Sequence, residues 1–271
     1  MAHRCRERLL PLITALTGQR ARAKLAGLVR RLVLQPAVDC LDAIEACLIP
    51  FRVSSLLVLA GSLVVTWFVY VPVHELLHAL GCVLGGGTVS RLEIAPIYGA
   101  ALVQKLFPFV VVGSDYAGRL SGFDTNGSDV TYLLTDFFPY LVTILAGMPL
   151  LRAVAARRFR PAWAAAGFGV AFPLAFVPFL SLTGDYYEIG SMLVSRAVTI
   201  WEPTFTPQRW RSDDLFKLLG TLSRSGLSAG DVAGIGGSLL LGVILSLATY
   251  WAGVGCARLF LRAPGGKPEG L

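Results

Sequence analysis

Two histidines and a glutamate lie close together in the sequence HELLH at positions 74–78. On an α-helix, residues i and i+4 share one face, so His74 and His78 can both present a ring nitrogen to one metal ion. Glu75 lies next to them and can reach a water molecule on that ion. Zinc lowers the pKa of its bound water to about 7, and a neighbouring carboxylate can accept the proton as the oxygen attacks a carbonyl carbon. The motif therefore predicts zinc-assisted hydrolysis with Glu75 as general base.

The arrangement H-E-x-x-H is typical of zinc peptidases. The chain has only three histidines, and two of them are in this motif. The motif also lies at the end of a long apolar segment, where ionisable residues are energetically costly and usually functional. The alternative interpretation is an interfacial histidine pair that caps a membrane span beside a glutamate.

The composition favours a membrane protein over a soluble one. Of the 271 residues, 55% are hydrophobic and 15% are charged, whereas about 25% are charged in an ordinary soluble domain. The net charge is +7, but the basic residues form short blocks between apolar runs, as in membrane-flanking loops. We therefore expect the lipid bilayer, and no nucleic acid, as a partner. The five cysteines include no C-x-x-C pair, which indicates neither a disulfide framework nor a cysteine zinc site.

The predicted fold class is an all-α polytopic membrane protein with about four transmembrane helices and a small strand-bearing segment after the first. The first helix is expected to continue through the HELLH motif and to stop at Gly85-Gly86-Gly87. Prolines at 173 and 178 are expected to interrupt the third span. The predicted spans are residues 54–73, 132–151, 162–183 and 235–257.

Three regions of the chain are expected on this basis. Residues 1–53 form a basic amphipathic segment, either as helices on an anionic membrane surface or as a solvated tail. Residues 54–257 form a membrane-embedded, metalloprotease-like domain, and residues 258–271 form a basic tail.

The connection between the first two spans and the connection between the last two spans are predicted to have different structures. Residues 88–103 alternate partly in polarity and predict a small sheet or hairpin. Residues 113–131 are polar and glycine-rich and predict a loop. Residues 196–233 are polar and contain tryptophans and prolines, so we expect them at the membrane interface.

The distribution of Lys and Arg predicts the orientation. With the N-terminus inside, 16 of these residues lie in inside segments and 8 in outside segments, so the positive-inside rule places both termini in the cytoplasm. This orientation places the HELLH motif toward the outer leaflet. We expect an integral, multi-pass protein of the bacterial inner (cell) membrane.

Catalytic zinc usually has three protein ligands, and a single HELLH helix supplies two. Asp185 directly follows the third predicted span, at the end that the predicted orientation brings toward His74 and His78. Glu188 lies one helical turn further along and is the alternative ligand. Asp136 is a weaker candidate, better explained as a helix-helix hydrogen-bonding group. Cys82 continues the face of the two histidines but is better explained as a small packing residue.

Two segments resemble the motifs of the site-2 protease family of intramembrane zinc metallopeptidases. The first is HELLHALGCVLGGGTVSRLEIAPIYGA, and the second is FPLAFVPFLSLTGDYYEIG, in which prolines precede an aspartate. The resemblance covers roughly residues 60–190. It implies that His74, His78 and Asp185 are zinc ligands and that Glu75 is the catalytic glutamate.

The expected function is that of a membrane-embedded zinc metalloprotease acting on membrane-associated protein substrates. A substrate helix in lipid has its carbonyl groups hydrogen-bonded internally and must open before water can attack. Residues 88–103 are expected either to hold the opened substrate by strand addition or to be a plain connection. The alternative from another class is a non-catalytic membrane scaffold or carrier that retains a protease-like fold.

Overall fold

The computed structural model describes residues 27–261 of the chain. Within these residues, four helical segments are long and apolar enough to cross a membrane. They are Val53–Leu84, Asp129–Ala155, Pro161–Trp201 and Ala229–Leu261. The prediction of an all-α polytopic membrane protein with four spans is confirmed, although each span extends beyond its predicted bounds.

Helix α1 (residues 27–48) precedes the first span and packs against the others. Its Asp39 is only 2% exposed, and Nη1 of Arg152 lies 2.6 and 2.8 Å from its two carboxylate oxygens. A buried carboxylate needs such partners because burial removes its hydration. Most of the described part of the predicted N-terminal segment is thus helix α1, which packs on the spans. Residues 1–26 and 262–271 lie outside the described residues.

Helix α2 (Val53–Leu84) contains the HELLH motif. As predicted, it continues through the motif and stops at the glycine triplet. Gly86 ends the helix with φ of +89°, a left-handed conformation that glycine adopts without steric penalty. Pro72 is accommodated inside the helix.

A three-stranded sheet follows α2. It consists of β1 (Thr88–Ile94), β2 (Val110–Val112) and β3 (Gly118–Asp124), in the order β2-β1-β3. Strand β1 pairs with β2 in parallel and with β3 in antiparallel orientation. A 3₁₀ turn (Pro96–Tyr98) and helix α3 (Ala100–Leu106) connect β1 to β2.

One sequence prediction for this region was wrong, and another was confirmed. Residues 113–131 were expected to be a loop because they are polar and glycine-rich, but they contain β3. This strand is stabilised by pairing with the distant strand β1. Residues 88–103 were expected to contribute to a small sheet or hairpin, and the sheet is present, with β1 ending at Ile94 and helix α3 following it. Strand β1 is also the central strand, so its backbone is already paired on both sides.

The second span is a continuous helix that contains irregular turns. Helix α4 (Asp129–Phe137) leads into a 3₁₀ turn (Phe138–Tyr140), then a π-helical turn (Thr143–Gly147) and helix α5 (Met148–Ala155). Pro139 explains the 3₁₀ turn, because proline has no N–H and its ring clashes with the preceding turn of a regular α-helix.

The third span consists of α6 (Pro161–Leu180) and α7 (Asp185–Trp201), joined by a four-residue break. Contrary to prediction, Pro173 and Pro178 lie inside an unbroken α6. Pro178 has no N–H to donate to the Leu174 carbonyl, four residues earlier. A neighbouring side chain compensates, because Thr143 Oγ1 donates to that carbonyl at 2.7 Å.

The last part of the chain folds back toward α7. The region predicted as polar and interfacial contains the end of α7, helix α8 (Leu215–Ser225) and the first turn of α9 (Ala229–Leu261). Gly190 of α7 and Gly242 of α9 permit close contact between these helices, because a Cβ on Gly242 would lie 2.8 Å from the Tyr186 carbonyl oxygen.

Close contact between α2 and α4 positions the HELLH motif. Gly81 and Gly85 form a G-x-x-x-G pair, which lets two membrane helices approach closely. A Cβ on Gly81 would lie 2.7 Å from the Cβ of Phe138, and one on Gly85 would lie 3.0 Å from the Cα of Thr131. The glycines therefore bring the motif directly against the second span.

Candidate metal centre

Three side chains from two distant parts of the chain converge beside the sheet. Nε2 of His74 lies 3.1 Å from Nε2 of His78. Oδ2 of Asp185 lies 3.3 Å from the first of these nitrogens and 3.5 Å from the second. Among residues 27–261, this is the one group of three or more His, Cys, Asp or Glu side chains whose spacing suits a metal ion.

The size of this triangle fits a tetrahedral zinc site. Ligand atoms about 2.0–2.2 Å from zinc lie about 3.3–3.6 Å from one another when the geometry is tetrahedral. Two of the observed separations, 3.3 and 3.5 Å, lie in this range, and the third, 3.1 Å between the two histidine nitrogens, is slightly shorter. When both Nε2 atoms are unprotonated, three lone pairs face one point, and a cation between them would remove their mutual repulsion. Tetrahedral coordination by three protein ligands leaves one position for water.

Hydrogen bonds from neighbouring residues orient both histidine rings. Nδ1 of His78 lies 2.8 Å from the Thr135 carbonyl oxygen. A carbonyl oxygen can only accept, so Nδ1 carries a hydrogen, and in the neutral ring Nε2 keeps its lone pair. Nδ1 of His74 lies 3.1 Å from the hydroxyl oxygen of Tyr70. Both histidines thus present Nε2 toward Asp185.

Asp185 is the first residue of α7 and follows the break in the third span. The fully buried Tyr140 donates its hydroxyl hydrogen to Asp185 Oδ2 at 2.6 Å. The side chains of His74, His78 and Asp185 are 12%, 10% and 22% exposed. The site is therefore shielded from bulk solvent but remains accessible on the Asp185 side.

Glu75 faces the start of β3. A Cβ on Gly118 would lie 2.6 Å from the Cδ of Glu75 and 2.9 Å from its Oε1, so only glycine leaves room for this carboxylate. Within residues 27–261, no group donates a hydrogen bond to Glu75, which leaves its oxygens available to a water molecule.

The other candidates from the sequence lie outside the ligand group. Glu188 is buried and accepts a hydrogen bond from the Tyr132 hydroxyl. Asp136 is 6% exposed, and its Oδ2 has no hydrogen-bond partner among the described residues. Cys82 is buried, with Sγ 3.7 Å from the Thr88 carbonyl oxygen. The structure thus groups Asp185, and not Glu188, with the two histidines.

Residues between α7 and α9 cover one side of the site. The Leu215 N–H donates to the Thr183 carbonyl at 2.9 Å, close to Asp185. In addition, Nη2 of Arg119 in β3 lies 3.2 Å from Oδ2 of Asp213. These contacts tie the sheet, and the segment that contains Asp185, to the residues before α8.

Sequence reasoning missed the residues that support the ligands. Tyr70 could have been identified, because it lies four residues before His74 on the same helical face. Thr135 and Tyr140 belong to another span and had no local signal. Gly118 lies in a segment that was predicted to be a loop.

Comparison with protein-family models, with curated proteins and with solved structures found no match. The resemblance to the site-2 protease family rests on the two sequence motifs quoted above.

Proposed function

We propose that the protein is a membrane-embedded zinc metalloprotease of the site-2 protease type, which hydrolyses peptide bonds of membrane-associated proteins. The observation that carries this proposal is the triangle of His74, His78 and Asp185, with Glu75 beside it. Its dimensions suit tetrahedral zinc, and it lies in a chain with four membrane-spanning helices. The sequence motifs support the same class of enzyme.

In this proposal each residue has a defined task. His74 and His78 hold zinc through Nε2, and Asp185 holds it through a carboxylate oxygen. Bound zinc would supply a polarised water molecule and a positive charge for the developing oxyanion. Glu75 accepts the proton of the attacking water and then returns it to the leaving amine.

The substrate is proposed to bind in extended form. A helical segment in lipid must open before a carbonyl becomes available to water. Because β1 is paired on both sides, the strand-addition role proposed for residues 88–103 passes to the edge strand β3. Gly118 at the start of β3 lies against Glu75, so a segment added there would run past the general base.

The deciding experiment uses the full chain in proteoliposomes with a single-span test substrate. We expect one zinc ion per chain and cleavage that depends on it, and loss of cleavage in Glu75→Gln with zinc retained. If the protein is instead a non-catalytic scaffold or carrier, the zinc-loaded wild-type protein will cleave no single-span substrate. Fractionation of a bacterial host should recover the protein in the inner membrane.

A further inference from the structure

The carbonyl group that orients His78 is available because of a proline four residues later. In a regular α-helix, the N–H of residue i donates to the carbonyl of residue i−4. Position 139 would therefore use the Thr135 carbonyl, but Pro139 has no N–H to donate. His78 Nδ1 occupies this acceptor instead, at 2.8 Å.

The residue after this proline contacts a second ligand. Pro139 ends α4 and places Tyr140 in a 3₁₀ turn. The Tyr140 hydroxyl then donates to Asp185 Oδ2 at 2.6 Å, and its ring contacts that of His74 edge-on at a centroid distance of 5.8 Å. The irregular turn at Pro139 thus places groups of the second span against ligands from two other spans: the Thr135 carbonyl against His78, and the Tyr140 hydroxyl against Asp185.

We propose that Pro139 and Tyr140 are positioning residues for the metal site, a role that rests on the proposed zinc centre. Pro139 frees the Thr135 carbonyl and so holds His78 in the tautomer with hydrogen on Nδ1. Tyr140 fixes the Asp185 carboxylate through its hydroxyl group. Partners of this kind around metal ligands typically change metal affinity roughly 10- to 100-fold when removed.

The chain contains a matched control for each residue. Pro178 also frees a carbonyl group inside a span, that of Leu174. Thr143 Oγ1 donates a hydrogen bond to this carbonyl, so no metal ligand is involved. Tyr186 is as fully buried as Tyr140, and the two tilted rings are in contact at a centroid distance of 4.4 Å, yet the Tyr186 hydroxyl donates to Thr249 at 2.7 Å. Each control thus loses the same chemical group without touching a ligand.

The first test is the tautomer of His78 in the zinc-free protein, measured from ¹⁵N chemical shifts of labelled histidine. The spectrum is simple because the chain has three histidines. In the wild type and in Pro178→Ala, His78 should carry its hydrogen on Nδ1. In Pro139→Ala, the new N–H competes for the Thr135 carbonyl, and the Nε2–H form should appear. An unchanged His78 spectrum in a folded Pro139→Ala variant would overturn the role of Pro139.

The second test is zinc affinity, measured by competition with a chelator. Tyr140→Phe and Pro139→Ala should bind zinc roughly 10- to 100-fold more weakly than wild type, whereas Tyr186→Phe and Pro178→Ala should bind it as tightly as wild type. Equal affinity of Tyr140→Phe and wild type would overturn the role of Tyr140, and this comparison stands even if Pro139→Ala fails to fold. A wild-type protein that binds no zinc would instead refute the proposed metal centre, while the tautomer test would still decide the role of Pro139.

Discussion

Oδ2 of Asp185 lies 3.3 Å from Nε2 of His74, although 111 residues separate the two in the chain. Two features bring them together. Helices α2 and α6 run side by side in the same direction: Gly169 of α6 lies against Leu59 of α2, and Asp185, which follows α6, lies against His74 further along α2. The break between α6 and α7 then places Asp185 at the first turn of a new helix. The predictions that follow depend on this arrangement.

Replacement of Glu75 by Gln should abolish peptide hydrolysis without removing zinc. Glutamine keeps the shape of the side chain but cannot accept the proton from water. Zinc content per chain and cleavage of the test substrate should be measured together. Glu202→Gln, at an exposed position after α7, is the control and should cleave normally. Full cleavage by Glu75→Gln would remove Glu75 from the mechanism.

The third ligand should be Asp185 and not Glu188. Asp185→Ala, like His74→Ala or His78→Ala, should lose both zinc and activity, because two remaining ligands bind zinc weakly. Glu188→Gln should retain zinc, because Glu188 bonds to Tyr132 and lies outside the ligand group. Elemental analysis of the purified variants distinguishes the two residues. Zinc loss in Glu188→Gln, with zinc retained in Asp185→Ala, would reverse the assignment.

Gly118→Ala should impair catalysis while sparing the metal. The added methyl group would lie 2.6 Å from the Cδ of Glu75, and that flexible side chain would move away. Displacement of a catalytic group by about 1 Å can reduce the rate roughly 100-fold. Gly236→Ala, where a Cβ meets no atom within 4 Å, is the control. A Gly118→Ala variant with wild-type kcat would show that Glu75 does not need its observed position.

Gly81→Ala should destabilise the protein, whereas Gly61→Ala in the same helix should not. A Cβ on Gly81 would lie 2.7 Å from the Cβ of Phe138, and such overpacking costs about 1–3 kcal/mol of unfolding free energy. A Cβ on Gly61 meets nothing within 4 Å, so alanine should stabilise the helix there by about 0.5–1 kcal/mol. Unfolding in detergent micelles measures both changes. Equal stability of the two variants would contradict the close approach of α2 and α4.

Reporter fusions should show that both termini are cytoplasmic. The four spans alternate in direction, and 16 of the 24 Lys and Arg residues lie in the segments predicted to be inside. Fusions at positions 155 and 265 should read cytoplasmic, and fusions at positions 125 and 220 should read outside; position 265 lies beyond the described residues. A cytoplasmic signal at position 220 would break the predicted orientation.

The sequence by itself determined the features that depend on local periodicity. Apolar segments of about 20 residues predict membrane helices because that length crosses the hydrocarbon core. The four-residue spacing of His74 and His78 places them on one helical face wherever that helix lies. The end of α2 at the glycine triplet follows from the backbone freedom of glycine. These predictions needed no knowledge of neighbouring helices.

The tertiary structure decided between the candidates for the third ligand and added the groups that support the two histidines. Asp185 and Glu188 are one helical turn apart, and the sequence favoured Asp185 but left Glu188 as the alternative. The packing of α7 against α4 directs Glu188 to Tyr132, whereas Asp185 lies beside His74. Strand β3 was missed because its stability comes from pairing with β1, 24 or more residues away in sequence. Contacts between distant segments depend on helix packing and strand pairing, and neither leaves a periodic signal in the sequence.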